Sequence, residues 1–138
     1  MFEVNNYIVH NKYIENIESF FVFQNGVKKV FKQNDENFKA LKNEIINILQ
    51  QSRLMPAFGV SLHNETIVEM QKGNWLQINF LNEMNLVGLL LDSLLIKLEK
   101  TNGINLIRLH NGKYEGRCIY LDFDEEIDLN DIIKKYAE

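Results

Sequence analysis

The chain has 138 residues, of which 46% are apolar and 25% charged, with a net charge of −4 and one cysteine. This is a globular rather than a disordered composition, and a chain of this length buries about 70% of its unfolded surface without staples. The acidic balance disfavours nonspecific binding to nucleic acid or anionic membranes, and a single thiol forms no internal disulfide.

The first sixteen residues, MFEVNNYIVHNKYIEN, carry neither a basic start nor a continuous apolar stretch, so no secretory signal is expected and the cytoplasm is the default location. No stretch rich in Pro, Ser or Gly interrupts the rest of the chain, so residues 1–138 are expected to form one domain. Pro occurs once, and Asn, Lys and Ile abound, which is the usage of AT-rich coding sequence such as that of low-GC bacteria and their mobile elements.

The first structural signal is Asn25-Gly26, set between Phe20–Phe23 and Val27–Phe31. Asn-Gly tolerates the positive φ angles of a type I′ turn and predicts a β-hairpin. Lys28, Lys29 and Lys32 form a basic cluster here among Phe20, Phe21, Phe23 and Phe31. Interleaved lysines and aromatics suit single-stranded nucleic acid. The competing reading puts the aromatics in the core and uses the lysines to guard an edge strand.

From Asp35 to Ser52 the apolar residues Phe38, Leu41, Ile45, Ile48 and Leu49 mark an amphipathic helix. Asn34 is its expected N-cap, and Pro56 lies just past its end. Val60 and Leu62 suggest a short strand. A second hairpin is expected about Lys72-Gly73, joining Thr66–Met70 to Trp75–Phe80. In the latter, Leu76, Ile78 and Phe80 alternate with Trp75, Gln77 and Asn79.

At 100° per residue, the apolar residues of Leu86–Lys100 cluster on one side, and Asn102-Gly103 follows as a stop; the segment is read as a helix. Leu89 and Ile96 fall on its opposite side, so a partner contact or burial on two faces is implied. The alternative is a buried strand over Ser93–Leu98. The most apolar run, Leu86 to Leu98, has 13 residues and carries Asp92 and Lys97, too short and too polar to cross a bilayer.

The third hairpin turns at Asn111-Gly112, between Ile104–Leu109 and Tyr114–Phe123. A last helix, capped by Asp128, presents Leu129, Ile132, Ile133 and Tyr136. The expected fold is therefore α+β, with a mostly antiparallel sheet of about six strands in three hairpins and three helices, in the order ββα-ββα-ββα.

No spacing in the chain matches a known chemistry. Cys118 sits mid-strand, with His110 the nearest base in sequence; His10, His63 and His110 lack metal-ligand spacing. No metal and no cofactor is expected. The acidic run Asp122, Asp124, Glu125, Glu126, Asp128 lacks the Gly and the bidentate Glu of a calcium loop. It reads as a solvated connection into the last helix or as a docking patch for a basic partner. His63, Trp75, Tyr114, Arg117 and Cys118 are the candidate ligand or interface residues.

Three functions remain in view. The first is a non-enzymatic protein-binding domain, adaptor- or immunity-like, partnered by another protein or by itself. The second is a small-molecule binder or an enzyme with its pocket between sheet and helices. The third is a nucleic-acid binder acting through the first hairpin, which the net charge disfavours.

Overall fold

The computed structural model describes residues 2–3, 16–50, 52–59, 72–86, 89–114 and 117–137. Among the described residues nine strands form one sheet: β1 (Phe2–Glu3), β2 (Ile17–Gln24), β3 (Val27–Lys32), β4 (Ser52–Gly59), β5 (Trp75–Leu86), β6 (Leu89–Lys97), β7 (Lys100–His110), β8 (Lys113–Tyr114) and β9 (Arg117–Asp128). Two helices accompany them among the described residues, α1 (Glu36–Gln50) and α2 (Leu129–Ala137). The sheet runs β1-β4-β9-β7-β6-β5-β2-β3, with β8 pairing to β7, and all its pairings are antiparallel.

The protein is thus mainly β, with six strands shaping a half-barrel, and the expected α+β fold of three ββα units does not form. The largest correction falls within Leu86–Lys100, read as a helix: Leu89–Lys97 is strand β6, in line with the alternative of a buried strand over Ser93–Leu98. β6 lies between β5 and β7 and is buried on both faces, with Leu94 and Ile96 on one and Ser93 and Leu95 on the other. A strand covered twice reads as a continuous apolar run, which a helical period fits equally well.

A second correction concerns the end of the first helix. α1 stops at Gln50, and Ser52–Gly59 form β4 around Pro56. The register of β4 against β9 shifts between Met55 and Phe58, so the proline sits in an irregularity where a ladder hydrogen bond is already missing. Both edges of β5 are occupied over Trp75–Asn79, by β2 and β6. The strands read at Thr66–Met70 and at Val60 and Leu62 lie outside the described residues.

The two Asn-Gly turns form as expected. Asn25 and Gly26 have φ of 52° and 84°, and Asn111 and Gly112 have 52° and 78°, the left-handed values that a type I′ hairpin requires. Asp128 caps α2 by accepting the Asp131 N–H at 2.9 Å. At α1 the bounding residue is Asp35 rather than Asn34.

Both helices pack on one face of the sheet. Phe38, Leu41, Ile45 and Ile48 of α1 and Leu129 and Ile133 of α2 join Phe20, Val22, Leu76, Ile78, Leu94, Ile96, Ile104 and Leu106 in one core. Phe20 and Phe38 place their ring centroids 5.1 Å apart, seating α1 on β2. Among the described residues a cavity of about 20 Å³ between helices and sheet is lined wholly by Ile and Leu.

Candidate functional site

The face turned away from the helices follows from the alternation of each strand. β2 gives it Ser19, Phe21 and Phe23; β5 gives Trp75, Gln77 and Asn79; β6 gives Ser93, Leu95 and Lys97. Trp75, Leu95 and Ile107 are buried together, with Phe23 and Tyr114 against them. Two of the sequence candidates, Trp75 and Tyr114, therefore meet in one small cluster. Trp75 is 7% exposed, and its indole N–H has no hydrogen-bond partner. A cleft of about 120 Å³ lies beside it, lined in part by Lys97, Glu99 and Asn105.

Next to this cluster runs a polar ladder. Asn79 Oδ1 accepts from Gln77 Nε2 and from Ser93 Oγ, each at 2.8 Å, and Asn79 Nδ2 donates to Ser19 Oγ at 3.1 Å. One side chain thus ties β2, β5 and β6 together across the open face.

The other sequence candidates are not gathered at one place. Arg117 and Cys118 pair with Gly59 and Phe58 along β9 and β4, and His63 lies outside the described residues. His110 is bonded through Nε2 to Glu83 of β5. Among the described residues no group of three or more His, Cys, Asp or Glu side chains could hold a metal.

The acidic run belongs to β9 itself rather than to a loop. Gly103 pairs with Asp122 and Thr101 with Ile127, so the residues between Asp122 and Ile127 stand opposite Asn102 alone and bulge from the ladder. Asp124, Glu125 and Glu126 are exposed there, and Glu126 faces Lys100 at 3.5 Å. Asp122 is partly buried.

The edge of the sheet lies at the strand whose lysines the sequence reads as guarding one. β3 is the last strand beyond β2 among the described residues. Its two-residue turn makes Gln24/Val27 a hydrogen-bonded pair, and the antiparallel alternation then makes Val22/Lys29 and Phe20/Phe31 the next such pairs. The backbone groups of Lys28 and Val30 consequently point outward, away from β2. Those of Lys32 are used locally: its N–H donates to Asp35 Oδ2 at 2.7 Å, and its carbonyl accepts from Asp35 N at 2.9 Å. The open stretch is therefore bounded by the hairpin turn at one end and by the Asp35 turn at the other.

Side chains on this edge alternate as well. Lys28, Val30 and Lys32 lie on the outer face, opposite Phe23, Phe21 and Ser19. Lys28 Nζ stands 4.0 Å over the Phe21 ring. Val27 is 70% and Val30 39% exposed, unlike Phe31, which is buried. Beside the strand is a shallow concavity of about 360 Å³ lined by Lys29, Val30, Phe31, Asp35, Glu36 and Asn37.

No family model, curated protein or solved structure matches this chain. No helix among the described residues is long and apolar enough to cross a membrane.

Proposed function

We propose that the protein is a non-enzymatic, cytoplasmic protein-binding domain whose binding element is the β3 edge. The observation that carries this reading is the outward-facing backbone of Lys28 and Val30, framed by exposed Val27 and Val30. An extended segment of a partner adds to such an edge as a further strand, gaining main-chain hydrogen bonds and contacts from alternate side chains. The described cavity between sheet and helices, about 20 Å³ with only Ile and Leu around it, offers no polar group to orient a ligand. Two of the four aromatics around the lysines, Phe20 and Phe31, are buried in the core, which leaves fewer rings for stacking on bases.

Proline substitution separates binding from folding. Val30→Pro removes an outward N–H and is tolerated on an edge; Lys29→Pro removes an N–H of the β2 ladder and destabilises the hairpin. The expected result is that Val30→Pro keeps a urea midpoint near that of the native chain. It should lose the proteins that the native chain retains from an extract of its source cells. If Val30→Pro retains the same proteins, the edge is not the binding element.

A further inference from the structure

Resting on the edge reading, we infer that the partner segment is acidic and carries a defined pattern: carboxylate, any residue, apolar residue, any residue, carboxylate. The pattern comes from register. An incoming antiparallel strand bonded to Lys28 and Val30 sets one residue directly opposite each of Lys28, Val30 and Lys32. These three share the outer face, so the partner residues that meet them are two apart and share that face too. Opposite charges directly across a ladder stabilise it, as do paired apolar side chains, and like charges destabilise it. Acid–apolar–acid is the sequence that answers Lys28–Val30–Lys32.

The two intervening residues turn to the helix-bearing side. There Asp35 and Glu36 line the concavity beside the strand. One intervening residue stands across from Lys29 and the other across from Phe31, so it is the apolar residue required opposite Val30 that sets the pattern apart from a uniformly acidic tail. The chain's own exposed acidic run does not fit. Its Asp124 and Asp128 flank Glu126, where the pattern requires an apolar residue. That run is therefore not the docking segment, whereas Glu65, Ile67 and Glu69 of the chain carry acid, apolar and acid at alternate positions.

The test uses the full chain, labelled with ¹⁵N, and a blocked peptide of sequence Thr-Glu-Thr-Val-Thr-Glu-Thr. Amide shifts are followed to millimolar peptide concentration. The expected result is saturable shifts at Lys28 and Val30, with the Lys28 shift absent in Val30→Pro. A peptide with Gln in place of both Glu should bind about twofold to thirtyfold more weakly, the range expected of two cross-strand charge pairs. That difference should narrow in high salt and disappear in the double variant Lys28→Gln, Lys32→Gln. Equal affinity for the two peptides overturns the charge pattern and leaves the edge reading standing. Absence of shifts with either peptide overturns both. An oligothymidylate that shifts Lys28 and Val30 more strongly than the peptide overturns the inference in favour of a phosphate polymer.

Discussion

Phe20 and Phe21 are neighbours in β2 and opposite in environment. Phe20 is fully buried and stacks toward Phe38 under α1, whereas Phe21 is partly exposed on the open face beneath Lys28. The pair stands for the whole sheet. One face is held by apolar burial under two helices, and the other by a small Trp75 cluster and the Ser19–Asn79–Ser93 ladder. The difference teaches where stability resides. The helix-covered face specifies the fold, and the exposed side chains of β3 stand at the edge of the other.

Substitution at the two phenylalanines tests this division most sharply. Phe20→Ala should cost about 3–5 kcal/mol, the range for emptying a filled core site. Phe21→Ala should cost about 1 kcal/mol, through lost partial burial and the Lys28 contact. Urea unfolding of both variants reads the gap, and similar losses would mean that the two faces contribute alike.

The next effect in size belongs to the ladder. Asn79→Ala removes one side chain and leaves groups of Gln77, Ser93 and Ser19 without their partner, two of them on buried serines. A loss of about 1–3 kcal/mol is expected. An unchanged urea midpoint would show that the open face is held by its apolar cluster alone.

The smallest effect lies on the covered face, where polar chemistry is scarce. Tyr136 of α2 donates to Glu44 of α1 at 3.2 Å. Burial, then the charge and the hydrogen bond of Glu44, push the phenol above its ordinary value of 10.0. The folded state therefore holds this proton more tightly than the unfolded chain does. Its contribution is complete below about pH 10 and is lost as pH rises through the folded-state value. The alkaline fall in stability should be steeper in the native chain than in Tyr136→Phe, as read by urea midpoints between neutral pH and the alkaline limb. Parallel curves would remove the Glu44 contact as its cause.

Local chemistry was legible where it sufficed. The Asn25-Gly26 and Asn111-Gly112 turns, the apolar stripe of α1 and the Asp128 cap are each decided within a few residues, and each forms. β6 was illegible because burial on both faces erases the alternation by which a strand is known. β4 was hidden by Pro56, which is compatible with a strand only at an irregularity that arises against β9, far along the chain. The candidate site divides the same way. Lys28, Lys29 and Lys32 were visible as a cluster with an edge-guarding role. That their strand is an edge depends on the register of β2 against β5, and no local pattern encodes it.

The order of the sheet has a consequence for synthesis. β5, β6, β7 and β9 form a continuous meander, while β2 and β4, made earlier, attach to its two flanks. Phe20 waits for Ile78, and Leu54 waits for Leu121. During translation the N-terminal half, with its run of phenylalanines, leaves the ribosome before the strands that will cover it exist. Such a chain spends its growth with apolar surface uncovered, the circumstance in which chaperones act and nascent chains aggregate. The lysines of β3 then serve a growing chain before they serve a finished one, keeping the first hairpin apart from its copies until the meander arrives.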